Sequence, residues 1–325
     1  MLSLRKPPLW ILVAAVVAAL AAPSRTLAQS SKALSPARPE FSVIGYLPDY
    51  RVEAINESII RQLTDLIVFS AEPTPAGGID LERLKGMPWD RLRALKTRHR
   101  VRLILCVGGW DRSKAFPAVA ASPQSRQKFV EAAVRLCLAE RLDGLDLDWE
   151  HPADVAQQTA YAVLLTDLSD AFRPHGLMLS VTMAAWQQIP AEGLAAVDRV
   201  QLMAYDNPGA HSTFEAAQKD VRSLLDRKVP ADRIVLGLPF YGRHLKNRDD
   251  SLTWRQIVEK HHPVPTADEA AGYAFNGPAT IRRKTEYARQ NGLAGVMVWE
   301  LGQDAPGEAS LLGVIQAARS AAESR

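Results

Sequence analysis

Along most of the chain, short apolar runs alternate with longer stretches in which apolar residues recur every three or four positions. The runs FSVIGY (41–46), LIVFS (66–70), VRLILCV (101–107), LDGLDLDW (142–149), LMLSVTM (177–183), RVQLMAY (199–205), RIVLGLPF (233–240) and AGVMVW (294–299) predict eight strands. Between them, Phe129, Ala133, Leu136 and Cys137 form one helical stripe, and Tyr161, Leu164, Leu165, Leu168 and Phe172 form another. Ser122 followed by Pro123 supplies a capping hydroxyl and a proline at the first helical position for the earlier of these helices. Strands that are apolar throughout and alternate with helices indicate parallel pairing with both sheet faces covered. An open doubly wound sheet should carry a glycine-rich phosphate loop after its first strand, and GYLPDYR holds none. The prediction is therefore α/β: a single-domain (β/α)8 TIM barrel over residues 41–325. No second domain, internal repeat or low-complexity tract is visible beyond the first 40 residues.

Charge changes the picture at one end only. The formal net charge is +3. Residues 1–28 contribute Arg5, Lys6 and Arg25 without an acid, so the remainder balances at 36 basic and 36 acidic residues. Arg5-Lys6, the uncharged stretch Leu9 to Ala22 and the small residues before Gln29 predict a secretory signal peptide over 1–28. The apolar stretch is shorter than the roughly 20 residues a membrane span needs. Residues 29–40, polar and proline-bearing, are expected to be a disordered leader. The protein is thus expected to be exported, to the periplasm or beyond, to act as a monomer, and to leave the membrane once the signal is cleaved. A balanced chain gives no electrostatic argument for nucleic acid as a partner. With only Cys106 and Cys137, a disulfide scaffold is excluded, and no Cys/His spacing suggests zinc. No metal or cofactor is expected.

The chemistry concentrates in LDGLDLDWEHP (142–152). On an extended strand Gly144, Asp146, Asp148 and Glu150 share one face, while Leu145, Leu147 and Trp149 share the other. The apolar set can pack on helices, which turns the three carboxyls into the barrel toward its carboxyl-terminal mouth. They span about 13 Å, too little for all three to ionise cheaply, so at least one should hold a proton at neutral pH. A protonated carboxyl at the end of a barrel strand suits a general acid. The interleaved Leu and Trp argue against a solvated acidic face, and an EF-hand loop would need a non-strand conformation. An Asp-x-Asp manganese site for a nucleotide sugar fits poorly with an exported chain that has no nucleotide loop.

These residues resemble those of the family 18 glycoside hydrolases, which include chitinases. The signature D-G-x-D-x-D-x-E is met at Asp143, Gly144, Asp146, Asp148 and Glu150. Further family positions follow in chain order: Gly45-Tyr46, Gly108-Gly109-Trp110, Gln201-x-Met203-x-Tyr205-Asp206, Pro239-Phe240-Tyr241-Gly242-Arg243 and Met297-Val298-Trp299-Glu300. The resemblance covers roughly residues 41–320. It implies a retaining hydrolase of β-1,4-linked N-acetylglucosamine polymers or oligomers in which the substrate supplies the nucleophile. Glu150 would protonate the scissile oxygen, and the 2-acetamido oxygen would attack C1 to give an oxazolinium ion. Asp148 would hold the acetamido N–H, Tyr205 would donate to its oxygen, and Asp146 would share a proton with Asp148. Trp299 would form the floor beneath the sugar and Trp110 a stacking surface beside it. Asp206 and Arg243 would contact hydroxyls, and Tyr46, Gly109, Gln201 and Met203 complete the implied substrate-binding set.

One position departs from the pattern. Cys106 stands two residues before the glycine pair, where the family usually has a serine supporting the inner aspartate; a thiol is the weaker donor. Two other readings of the same fold remain: a chitin-binding lectin, which would lack the terminal acid present here as Glu150, and an endo-β-N-acetylglucosaminidase acting on glycoprotein or peptidoglycan glycans. Finally, only fifty residues, 244–293, separate the seventh-strand motif from the eighth strand. Helices are predicted over 253–260 and 279–291, and the remainder reads as too short, and too rich in Pro, His and Asp, for an extra sheet. The chain thus resembles bacterial chitinases without an α+β insertion, and a shallow, open groove is expected.

Overall fold

The computed structural model describes residues 41–320. The expected signal peptide and leader lie outside the described residues. Eight parallel strands appear where the apolar runs predict them: β1 (Ser42–Pro48), β2 (Asp65–Pro73), β3 (Arg102–Gly108), β4 (Gly144–Asp148), β5 (Met178–Met183), β6 (Arg199–Leu202), β7 (Ile234–Pro239) and β8 (Gly295–Trp299). Each pairs with its successor, and β1 pairs with both β2 and β8, which closes the barrel. Among the described residues no helix is long and apolar enough to cross a membrane.

Period-two alternation sorts the side chains between two cores. Val43 and Leu47 on β1 and Leu145 and Leu147 on β4 point outward into the layer between strands and helices. Ile44, Tyr46, Ile67, Phe69, Ile104 and Cys106 point inward and fill the barrel with Val235 and Met297. Trp149, just past β4, belongs to the outer layer: it stacks on Phe116 at 5.3 Å and meets Tyr161 edge-on at 5.1 Å. Such ring pairs add roughly 0.5–1.5 kcal/mol beyond the area they bury. Anchoring Leu145, Leu147 and Trp149 outside in this way forces Asp146 and Asp148 inward. The crossover helices start as read: Ser122 Oγ accepts from Ser125 N at 3.1 Å, with Pro123 opening the helix Pro123–Glu140.

The connection from β7 to β8 differs from expectation. Besides the helices Trp254–His261 and Pro278–Gln290, it holds a four-stranded antiparallel sheet built from Tyr241–His244, Ser251–Thr253, Glu269–Ala270 and Tyr273–Ala274. Its strands are two to four residues long, too short to show as hydrophobic alternation. The residues that read as breakers build its turns instead. Ala271 and Gly272, both at positive φ, close the last hairpin, as two-residue hairpin turns require. Asp268 accepts from Gly277 N at 2.9 Å and from Thr280 Oγ1 at 2.5 Å. Arg248, Asp249, Ser251, Thr253 and Gln256 of this small α+β element line the groove at the barrel mouth. The groove is therefore walled on one flank, not open on both.

Candidate active site

The groove, about 1020 Å³, runs across the carboxyl-terminal ends of the strands, where barrels of this type carry their chemistry. Three carboxyls rise through its floor from β4. Asp146 is deepest and fully buried, below the groove lining. Its Oδ1 accepts from Ser180 Oγ at 2.6 Å, and its Oδ2 accepts from Tyr46 Oη and Thr182 Oγ1 at 2.8 Å each. The Cys106 thiol supplies a further hydrogen bond. Burial raises the Asp146 pKa, and these donors pull it only part of the way back.

Asp148, one step nearer the mouth, has no such support. Its Oδ1 is buried with no hydrogen-bond partner, although it borders the groove. Burial first, then the charges of Glu150 and Asp146, push its pKa well above the ordinary carboxylate range. The proton of the inner pair therefore rests on Asp148, not on Asp146 with its four donors. Glu150 comes next, its pKa raised to about 7 by burial and by the negative charge of Asp206, with the backbone N–H of Trp110 acting in the opposite sense. A carboxyl that stays protonated near neutral pH can act as a general acid.

The loop after β3 holds this ladder in place. Gly109 N donates to Asp148 O at 2.6 Å. Ser113 Oγ donates to Asp148 O at 2.9 Å and accepts from Glu150 N at 3.1 Å. Gly108 and Gly109 have φ of +105° and +103°; a Cβ on the first would meet Asp148 O at 2.2 Å, and one on the second the Phe69 ring at 2.3 Å. Only glycine suits both the backbone and the contact.

On the facing side Tyr205 is buried with its pKa pushed well up, chiefly by burial, so its hydroxyl stays a donor. Its nearest partner is the weak acceptor Met297 Sδ at 3.9 Å, which leaves Oη available to a ligand. Asp206 is clamped in a two-point ion pair by Arg243, Nη2 to Oδ2 at 2.9 Å and Nε to Oδ1. Despite the opposing effect of burial, that guanidinium holds its pKa far below normal. Trp299 forms part of the floor, buttressed edge-on by Phe69 at 4.7 Å and by Tyr46 at 5.7 Å. Trp110 stands at the mouth, 69% exposed.

Of the residues singled out in the sequence, Tyr46, Trp110, Asp148, Glu150, Met203, Tyr205, Asp206, Arg243 and Trp299 line the groove together. Gly109 and Gln201 do not: Gly109 shapes the β3 loop, and Gln201 is fully buried, its Nε2 reaching Ser180 Oγ at 3.4 Å. The hydroxyl of Tyr46 is spent on Asp146 at 2.8 Å, with Thr182 Oγ1 2.7 Å away, while its ring borders the groove. Ser180 and Thr182 escaped the sequence reading, although two hydroxyls alternating on an otherwise apolar strand mark the inward face beside Asp146. Trp186, 64% exposed on the mouth, carries no comparable signal because it follows the strand by three residues.

The sequence profile described as "Glycosyl hydrolases family 18" matches residues 42–304. The chain belongs to that family. Chitinase 1 of Aphanocladium album is 28% identical to this family 18 chain, covering 68% of it and 66% of the relative. Endochitinase 1 of Metarhizium robertsii is 27% identical, covering 67% and 65%. The family 18 chain thus spans just under two thirds of the length of these relatives. Among solved structures, the chitinase ChiB from the chitin utilization locus of Flavobacterium johnsoniae superposes with a TM-score of 0.78 at 26% identity, covering 87% of this chain and 95% of that one. A chitinase of Bacteroides thetaiotaomicron, 21% identical with a TM-score of 0.80, shares the fold.

Proposed function

We propose that this protein is an exported, retaining glycosidase that cleaves β-1,4 bonds in polymers or oligomers of N-acetylglucosamine, acting as a monomer and using the substrate's acetamido group as nucleophile. The observation that carries the reading is the unpartnered, buried Oδ1 of Asp148 beside a protonatable Glu150. An orphaned acceptor in such a place needs a donor, and an acetamido N–H is one. Glu150 gives its proton to the glycosidic oxygen. The acetamido oxygen, steered by Tyr205 Oη, attacks C1; Asp148 passes its own proton to Asp146 and, now a carboxylate, accepts from the acetamido N–H and compensates the positive charge that develops on the acetamido nitrogen. Glu150, now a carboxylate, takes a proton from water as the oxazolinium ion opens, so the anomeric configuration is retained.

The ion pair of Asp206 supports substrate assistance over a protein nucleophile. Asp206 is the groove carboxylate whose charge Glu150 feels most, and it is already committed to Arg243. The chitinases of the family, at 28% and 26% identity, favour chitin-like chains as the substrate class. Gly109 and Gln201 act in this scheme by shaping the site, while Met203, Trp110 and Trp299 offer apolar surface to the sugar rings. Incubation with chitotetraose, followed by proton NMR of the fresh product, tests the reading. It predicts the β anomer first, and no cleavage of the matching oligosaccharide that carries 2-hydroxyl groups. An initial α anomer, or equal cleavage of both chains, would contradict substrate assistance.

A further inference from the structure

Immediately after the general acid stands a second titratable side chain that the scheme above does not use. His151 borders the groove, and its Nε2 lies 3.5 Å from Glu150 Oε2. Its other nitrogen, Nδ1, lies 3.0 Å from Gln187 Oε1. Gln187 is itself fixed: it is 2% exposed, and its Nε2 donates to Trp149 O at 3.2 Å. A backbone carbonyl can only accept, so the amide nitrogen must face it and the amide oxygen must face the imidazole. An amide oxygen can only accept in turn, so His151 Nδ1 carries the hydrogen. In the neutral ring Nε2 is then a lone pair, and it faces Glu150. Arg227 pins the backbone of the same loop, donating to Gln187 O at 3.1 Å and to Ile189 O at 2.9 Å.

We propose that His151 is a positioning residue for the general acid, its Nε2 accepting a hydrogen bond from the Glu150 carboxyl before a chain binds and releasing that carboxyl to the glycosidic oxygen when one does. The proposal rests on the reading of Glu150 as the acid. A contact of 3.5 Å is long, as such contacts often are before the substrate arrives, and a small rotation of either side chain closes it. No net transfer to the imidazole is needed: the proton stays on Glu150 until it moves to the leaving oxygen, and the Nε2 lone pair is left as it was. The edge of Trp186, 4.5 Å from the imidazole, fixes the ring on its outer side.

The electrostatic surroundings agree with this assignment. Glu150 is faced by Asp148 and by the Arg243-bound Asp206, and Asp111 and Lys114 share a side cavity with Glu150 and His151. Burial lowers the His151 pKa, which favours the neutral ring. A neutral acceptor stabilises the protonated form of its donor and so raises the pH at which Glu150 loses its proton.

The test is the pH dependence of kcat on a fluorogenic chito-oligosaccharide. His151→Asn keeps the donor toward Gln187 and removes Nε2. It should move the alkaline limb down by about half a pH unit and lower kcat at pH 7 roughly twofold, with KM changed by less than about twofold. His151→Gln, which returns an amide oxygen near the Nε2 position, should restore most of the limb. An unmoved limb, or a change in KM alone, would overturn the proposal. Nitrogen NMR of the wild-type imidazole gives a check that requires no variant. The proposal requires the Nδ1–H tautomer and a joint titration with Glu150, and the Nε2–H tautomer would refute it. Were the wild-type enzyme inactive on β-1,4-linked N-acetylglucosamine, the acid role would fail, while this NMR result would still decide the contact.

Discussion

Both ends of the barrel enclose carboxylates, and they treat them in opposite ways. At the amino-terminal end, where β2, β3 and β6 begin, Asp65 is fully buried between Arg102 and Arg199. Arg102 grips it with Nε and, at 2.9 Å, with Nη2, while Arg199 Nη1 lies at 3.1 Å. Burial alone would raise its pKa, yet the hydrogen bonds and charges of the two arginines bring it below the ordinary value. At the carboxyl-terminal end Asp148 is buried and Glu150 is mostly so; burial raises both pKa values, no cation offsets it, and the neighbouring carboxyls add to the rise. Burial thus fixes neither the charge nor the role of a carboxyl. Where a guanidinium offsets burial the carboxyl is a structural ion; where none does, burial and a like-charged neighbour together make an acid.

The contrast can be broken at either end. Glu150→Gln keeps the shape of the acid and removes its proton; turnover on chito-oligosaccharides should fall by about 10²–10⁴-fold with binding by calorimetry retained. Activity within tenfold of wild type would remove Glu150 from the acid role. At the other end, Asp65→Ala strands Arg199 in the interior and should cost about 3–5 kcal/mol of stability in denaturant, with little change in kcat for the protein that remains folded. A stability within about 1 kcal/mol of wild type would show that the ion pair does not hold that end together.

Stability against pH sharpens the comparison. The Asp65 pKa is depressed on folding, so its contribution is full above the unfolded value and is lost as pH falls through the folded one. The Glu150 pKa is raised from 4.5 to about 7, so the folded state holds a proton that the unfolded chain releases, and stability declines as pH rises across that window. Glu150→Gln should therefore be more stable than wild type at pH 8, by an amount on the order of 2 kcal/mol or a few degrees in Tm. The gain should vanish by pH 4; an equal gain at both pH values would contradict the linkage. The smallest effect is expected from Cys106→Ser. A hydroxyl is a better donor to Asp146 than the thiol, so the pKa of the Asp146–Asp148 pair should fall. The acidic limb of the activity profile should then move to lower pH, with the fold intact. An unmoved limb would mean that Cys106 contributes nothing to that pair.

Much of the barrel was legible because each strand is buried on both faces and reads as an apolar run, and because LDGLDLDWEHP can only be folded with its acids inward. What was not legible depends on residues far apart in the chain. The Asp65–Arg102–Arg199 cluster joins three strand starts separated by up to 134 positions, and no local pattern announces it. The sheet between β7 and β8 is made of strands shorter than the window in which alternation shows. His151 reads as an ordinary polar residue after the signature; only Gln187, 36 positions on, gives its imidazole a direction. Gln201 and Gly109 sit inside recognisable motifs, yet one braces Ser180 and the other lets a loop pass over Phe69. A motif match therefore marks the neighbourhood of the chemistry and leaves open which members touch the sugar.

The central claim, that charged partners decide which of the buried carboxyls act, can be measured in one experiment. Carbon NMR of side-chain carboxyls in the intact protein would follow Asp65 and Glu150 through a single pH titration. The account predicts that Asp65 stays ionised to below its ordinary value while Glu150 half-titrates near pH 7. Glu150 titrating in the ordinary carboxylate range, or both groups titrating together, would contradict it.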